Sequence, residues 1–580
     1  MNPTYSMVFI NLICSALVFF GAIFYKFIYP KKNINLFVLL LIISFLPIIS
    51  VFRAGDYESG DFNIHIYRMM SFYNSLKEGI LMPSWAGNLN ATYGDPLFLF
   101  NYSLPYYIIS FLHFLGISFI TATKLYLGLS LYLSAICMYF FAKEILKSKL
   151  AAFSSAIFYL FAPYHLIDVH FRATLGESTI FLIIPLLFLF SAKYIKTNKL
   201  FYLALISLLT FGLFLAHPLL ALVVIGPLIL YITYQQLINK NLKSLAVQLC
   251  FVIIGIVASG YTFAPFIVYS KYMFHYPLNG PISFYPFNLL FYSPWRFGFL
   301  FQGPKGELAT IIGYTQLFIV FTSIILSFRK RFSKKINNQI KFWIILFIAT
   351  LFMMSPLSNS IWKHSQSIGP MLVSYSRLSL ILAFFTSVIA GYFVLHFKNR
   401  KRLIYFLLIL TVGYTMLNWG HRRVIPQIRD NTLSKNVPYS TLSEGPVQFL
   451  DTIWADPKNP WFSEIPKSHL EIIKGQGNVK EVFRGSITHK YIINANTDLV
   501  LKENTLYFPG WTASSNGKNI NINLDKRGVI NLKLNAGNHN LTLNYKDIQP
   551  ILYLKDLTIL IVLLLIISGG YSLFKDFPKN

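Results

Sequence analysis

Apolar runs of roughly twenty residues, separated by short polar breaks, repeat up to residue 419 and return once after residue 557. A helix that crosses a bilayer needs about 17–25 such residues. The pattern predicts spans near 7–28, 34–53, 120–142, 150–164, 177–195, 199–216, 218–237, 247–268, 309–328, 341–356, 376–397, 403–419 and 557–574. A further apolar stretch, 103–117, breaks the alternation of sides. It is expected to be a re-entrant or interfacial helix, anchored by Pro105 and the tyrosines at its start. Between 421 and 549 the period changes to two, in Asn519–Leu524 and again in Val529–Leu534. Turn signals stand at Asn516-Gly517, Arg527-Gly528 and Ala536-Gly537. Such runs predict antiparallel hairpins with one buried face. The expected architecture is a polytopic α-helical membrane protein of about thirteen spans. Residues 1–420 form the multi-span part, 421–549 an external β-sandwich, and 550–580 the last helix and a cytoplasmic tail.

Composition agrees with that pattern. The chain of 580 residues is 55% apolar and only 12% charged, about half the charged fraction of a soluble protein. A cytosolic enzyme, a disordered chain and a secreted disulfide scaffold are excluded. Cys14, Cys137 and Cys250 all lie in apolar runs and offer neither a metal cluster nor a disulfide framework.

Most of the net charge of +28 belongs to the membrane part, with 34 Lys/Arg against 11 Asp/Glu outside 421–549 and 16 against 11 within it. The excess sits in short clusters between spans, among them Lys143/Lys147/Lys149, Lys193/Lys196/Lys199 and Lys398–Arg402. That is the positive-inside signal rather than a nucleic-acid footprint. With every cluster in the cytoplasm, the N-terminus and the segment 54–119 fall outside. The first run has no basic residue before it and does not read as a cleavable signal peptide.

Under this orientation the acidic residues before position 421 face outside, except Glu144. Glu78 and Glu307 read as solvated loop charges. Others lie in short, aromatic-rich loops, where an unpaired carboxylate is costly to desolvate. Asp61, His65 and Arg68 recur at helical spacing, which would set carboxylate, imidazole and guanidinium on one face. The same spacing fits an N-cap followed by an ordinary polar face. Asp56 stands five residues earlier. A second external loop carries Asp168, Arg172 and Glu177, and His217, Arg296 and Arg377 lie at outer ends of other elements. Each histidine or arginine alone could be structural or could pair with a lipid phosphate. Together they form a polar set on one membrane face. Carboxylates for a base, arginines for phosphate and aromatics for sugar or lipid suit glycosyl transfer from a lipid-phosphate sugar.

The stretch Asp61–Tyr107 resembles the first external loop of the bacterial membrane family labelled 6-pyruvoyl-tetrahydropterin synthase-related. That family is in turn similar to the GT-C superfamily of polyprenyl-phosphate-sugar glycosyltransferases. The matching positions are Asp61, His65, Arg68, Gly79, Pro83/Trp85, Tyr93/Gly94/Pro96 and Leu104–Tyr107. Further along they are Arg172-Ala173 with Glu177, Ala216-His217, Ser293-Pro294-Trp295 with Gly298, and Arg377; Tyr507–Trp511 opens the β region. Pterin synthase chemistry needs a histidine zinc site in a soluble fold, and no such pattern is present.

The resemblance implies transfer of a sugar from a polyprenyl-phosphate carrier to a glycan, lipid-linked saccharide or cell-envelope polymer, at the outer face of the bacterial cytoplasmic membrane. Asp61 is the expected base, with Asp56 or Glu177 as alternatives. His65, Arg68, Arg172, His217, Arg296 and Arg377 are the expected substrate-binding residues. The leaving phosphate would be neutralised by arginine or by a divalent cation held by carboxylates. A transporter or flippase for lipid-linked sugars is the competing class. It would place polar groups near the bilayer midplane, whereas here they cluster at the outer ends of spans.

Overall fold

The computed structural model describes residues 3–273, 284, 286–293, 311–364, 375–420, 424–435, 452–454, 462 and 464–575. A helix falls at each expected span. Among the described residues seven helices are long and apolar enough to cross a membrane, or nine if two bent pairs count as single spans. The expected span 34–53 is two pieces. Helix Leu36–Phe45 is capped by the Asn35 side chain and gives way to a tighter 3-10 helix, Leu46–Phe52. Pro47 stands at that junction and supplies no N–H to continue the α-helical ladder. The expected span 150–164 belongs to a bent pair, Lys149–Leu160 and Pro163–Arg172, with 47° between them and Pro163 at the break. Helix Leu104–Phe114 has 11 residues, or about 16 Å of rise, half the ~30 Å of a hydrocarbon core.

Two helices form the centre. Ser376–His396 and Leu175–Thr197 are the most completely enclosed of the long apolar helices, and each begins with a charged residue, Arg377 or Glu177, in its first turn. By contrast Met7–Ile28 and Gln549–Phe574 leave most of their apolar surface uncovered, as helices facing lipid do.

The β part is all antiparallel. Strands β1 (Asp56–Tyr57) and β2 (Val424–Ile425) pair with each other and tie the segment after the second expected span to the chain leaving the last central helices. The sandwich comprises β3 (Leu470–Lys474), β4 (Gly477–Arg484), β5 (Thr488–Ala495), β6 (Leu499–Leu506), β7 (Trp511–Ser515), β8 (Lys518–Ile520), β9 (Asn523–Leu524), β10 (Val529–Leu534) and β11 (Gly537–Tyr545). One sheet has the order β3-β6-β10-β9 and the other β4-β5-β11-β7-β8. Asn516 and Gly517, both at positive φ (51° and 78°), make the tight turn between β7 and β8. The alternating run Asn519–Leu524 is not one strand: β8 ends at Ile520 in one sheet and β9 begins at Asn523 in the other. The inward-facing Tyr491, Ile493, Leu501, Leu532, Leu541 and Leu543 are all buried. The chain is thus a polytopic helical membrane protein carrying a C-terminal β-sandwich.

Candidate functional site

The site is built where the two central helices begin. Glu177 lies in the first turn of Leu175–Thr197, where a negative charge is favoured by the helix dipole. Gly176 permits that start: a Cβ there would sit 2.5 Å from the Ala216 carbonyl oxygen, so the corner carrying His217 could not approach. The Glu177 carboxylate is buried and fully engaged. Arg172 donates through Nη2 to Oε1 at 3.0 Å and through Nη1 to Oε2 at 3.3 Å. The Tyr164 hydroxyl donates to Oε2 at 2.7 Å, and Arg377 Nε lies 3.4 Å from Oε1. Arg172 also donates to Asp168 Oδ1 and to the Tyr164 hydroxyl, each at 2.8 Å. A π-helical turn, Asp168–Arg172, sets this arginine beside its partners. Arg377 reaches on to His217, with Nη1 3.3 Å from Nε2.

Asp61 faces this cluster. It occupies the N-cap position of helix Phe62–Lys77, but its side chain makes no capping hydrogen bond. Its backbone is fixed instead: the Asp61 N–H donates to the Arg172 carbonyl at 2.9 Å, and its carbonyl accepts from His65 at 3.0 Å. Burial pushes the carboxyl pKa up, while the charges of Arg172, Arg377 and Arg68 pull it down and Glu177 adds to the rise. The N-cap alternative therefore fails on geometry, although the residue does stand at a helix start.

On the same helix His65 is buried between two phenols, with Tyr102 3.0 Å from Nε2 and Tyr106 3.1 Å from Nδ1. Burial, helped by Arg68, lowers its pKa to about 3, so the ring is neutral. Asn101 donates to the Tyr106 hydroxyl at 3.1 Å, and Tyr102 stacks on the His217 ring at 5.7 Å. Arg68 is half-buried and near enough to bias both Asp61 and His65.

Asp56 is placed differently. It is 1% exposed in β1, its Oδ1 accepts from the Tyr57 N–H at 2.6 Å, and its charge is answered by Lys124. Lys124 in turn donates to the Arg53 and Gly55 carbonyls. Asp56 thus braces the entry to the loop. Arg296 and Glu307 lie outside the described residues. Glu78 is exposed, as expected of a loop charge, and it also has a partner: its Oε2 accepts from the Ser486 N–H at 2.7 Å and its Oε1 from the Ser486 hydroxyl at 3.0 Å. Sequence reasoning missed Tyr102 and Tyr106 as partners of His65, and Tyr164 as a partner of Glu177 and Arg172. Their only signal was the density of tyrosines around the motifs.

Among the described residues no group of three or more His, Cys, Asp or Glu is placed to hold a metal ion. Glu177 is already neutralised by two guanidinium groups, which would repel a dication. These residues do not fit a bound divalent cation.

A family model described as "6-pyruvoyl-tetrahydropterin synthase related domain; membrane protein" matches residues 99–417. An uncharacterised protein of Lactococcus lactis subsp. cremoris (strain MG1363) is 24% identical over 219 residues, which is 37% of this chain and 36% of that protein. Among solved structures, the mycobacterial arabinofuranosyltransferase AftD is similar at a TM-score of 0.39 and 12% identity, over 67% of this chain and 27% of that one. ArnT from Cupriavidus metallidurans, solved bound to undecaprenyl phosphate, gives a TM-score of 0.34 and 9% identity over 64% of this chain and 79% of its own. The chain thus spans well under two thirds of the Lactococcus protein and of AftD. With more than half of its length matched by the family model, the chain belongs to the 6-pyruvoyl-tetrahydropterin synthase-related family of membrane proteins.

Proposed function

We propose that the protein is a membrane glycosyltransferase that moves a sugar from a polyprenyl-phosphate carrier to a saccharide or envelope-polymer acceptor at the outer face of the bacterial cytoplasmic membrane. The observation that carries this reading is the Asp61 carboxylate: half-buried, without a capping bond, and within the field of three arginines. In the reaction an acceptor hydroxyl oxygen attacks the anomeric carbon, the bond from that carbon to the phosphate oxygen breaks, and the hydroxyl proton passes to Asp61. Polyprenyl phosphate leaves as the anion. It is a weak base and needs no general acid, only charge to receive it. A single displacement inverts the anomeric configuration.

The arginines divide the work. Arg172 is held by Tyr164, Asp168 and both Glu177 oxygens and serves as a scaffold. Arg377 makes one long contact each to Glu177 and His217, which leaves donors for a phosphate. Arg68 offers a second positive group on the Asp61 side. Neutral His65 has both ring nitrogens engaged by Tyr102 and Tyr106, so it orients these phenols beside the site and does not compete as a base. Binding of radiolabelled undecaprenyl phosphate to purified protein tests the donor side. Arg377→Met should weaken it about tenfold or more, the scale of losing a charge-assisted hydrogen bond. Unchanged binding in that variant would remove Arg377 from the donor site.

A further inference from the structure

The loop between helix Phe62–Lys77 and the His65-binding tyrosines contains an unusual turn. Asn90, Ala91 and Thr92 are consecutive and none is glycine, yet their φ values are 52°, 53° and 70°. Side chains disfavour that left-handed region, and a β-branched threonine disfavours it most. Such a turn persists only where its surroundings over-determine it. The surroundings here are the β-sandwich and the segment before it. Arg484 of β4 donates to the Thr92 carbonyl at 3.1 Å. The Leu506 N–H donates to the Tyr93 carbonyl at 2.8 Å, and the Phe462 N–H to Asn90 Oδ1 at 2.9 Å.

Arg484 is itself anchored. Its Nη1 donates to Glu503 Oε1 at 2.7 Å, and Glu503 is wholly buried and also contacted by His489 at 2.9 Å. A second grip lies at the other end of the same loop, where Glu78, just past helix Phe62–Lys77, holds Ser486 with both oxygens. The gripped segment therefore runs between two parts of the site: the helix with Asp61, His65 and Arg68, and the stretch with Tyr102 and Tyr106.

We infer that the β-sandwich is a positioning frame for the catalytic loop, acting through Arg484 on the Asn90–Thr92 turn and through Ser486 on Glu78. The inference rests on the transferase reading for its effect on rate, but not for the clamp itself. It also gives the Pro83/Trp85 and Tyr93/Gly94 motifs a role away from the chemistry. Trp85 packs edge-on against Trp511 at 5.4 Å, Tyr93 stacks on Phe462 at 3.7 Å, and a Cβ at Gly94 would collide with the Trp85 ring.

Hydrogen exchange on the purified full-length protein separates frame from mere support. Two variants are compared with wild type, Arg484→Met and Glu78→Ala; the second leaves the buried interior of the sandwich untouched. Amides within 86–94 should exchange faster in both, while β5 and β11 stay protected in Glu78→Ala. Turnover should fall by up to about a hundredfold with little change in donor KM, the scale of a misaligned reacting group. Adding Thr92→Gly to Arg484→Met should restore part of both, because glycine adopts the turn without help. Unchanged loop exchange in both variants overturns the inference. So does a loosened loop with unchanged turnover, or loss of β5 and β11 protection in Glu78→Ala. If the wild-type protein transfers no sugar but the loop loosens as described, the clamp stands and the transferase reading falls.

Discussion

Replacing Asp61 by asparagine keeps the side chain's size and one acceptor oxygen but removes its negative charge and its capacity to take a proton. Loss of a positioned base costs about 10²–10⁴ in rate, equivalent to roughly 3–5 kcal/mol of transition-state stabilisation. The structural cost is far smaller. Asp61 makes no capping bond, and asparagine caps a helix about as well as aspartate. Its side chain is half-buried and accepts no direct ion pair among the described contacts, so the lost attraction to the arginines falls to about 1 kcal/mol or less after solvent screening. Purified Asp61→Asn protein should therefore unfold within a degree or two of wild type, the scale of a sub-kcal/mol change in a large protein, and bind donor while turning over at 1% or less. The assay is transfer of radiolabelled sugar at saturating donor, read beside thermal unfolding. Turnover within about threefold of wild type would refute the base assignment. A large fall in unfolding temperature would refute the claim that Asp61 is dispensable for the fold.

Three other outcomes follow from the same geometry. Glu177→Gln strips the carboxylate shared by Arg172, Tyr164 and Arg377; breaking such a buried pair costs about 3–5 kcal/mol, so thermal unfolding should drop and activity vanish together, unlike Asp61→Asn. The base must be deprotonated to work, and burial raises its pKa, so the rate should fall on the acid side above the ordinary carboxylate range near 3.9. Arg68 opposes that rise, so Arg68→Gln should move the acid limb to still higher pH in a kcat/KM profile; a shift to lower pH would contradict the assignment. Single cysteines replacing Ser118 and Ser148, at the starts of helices Phe119–Leu146 and Lys149–Leu160, should react differently with an impermeant thiol reagent on intact cells in a background free of native cysteine. Ser118→Cys should label and Ser148→Cys should not; labelling of both would overturn the proposed orientation.

What the sequence made legible was local. The spacing of Asp61, His65 and Arg68 set a helix with polar groups on one face, and the period-two runs marked the sandwich. Hydropathy placed a helix at each expected span, but it could not see that Pro47 divides 34–53 or that the bend at Pro163 brings Arg172 beside Glu177. Periodicity was equally blind to the run Asn519–Leu524 changing sheets, because each half alternates correctly on its own. The site's pairings needed tertiary structure. Arg377 meets Glu177 across two hundred positions of chain, and the counter-charge beside Asp56 is Lys124, inside an apolar helix. Glu78 is exposed as a loop charge should be, but its partner, a backbone N–H more than four hundred residues away, was invisible in the sequence.

The central claim is that the sugar leaves its lipid carrier on this protein. The direct measurement is mass spectrometry of the donor after purified wild-type protein, in liposomes, meets a polyprenyl-phosphate sugar and an envelope-glycan acceptor. One polyprenyl phosphate should be released for each sugar gained by the acceptor, with release abolished in Asp61→Asn. Donor recovered intact on the opposite leaflet, with no polyprenyl phosphate formed and no effect of Asp61→Asn, would contradict it and identify a flippase instead.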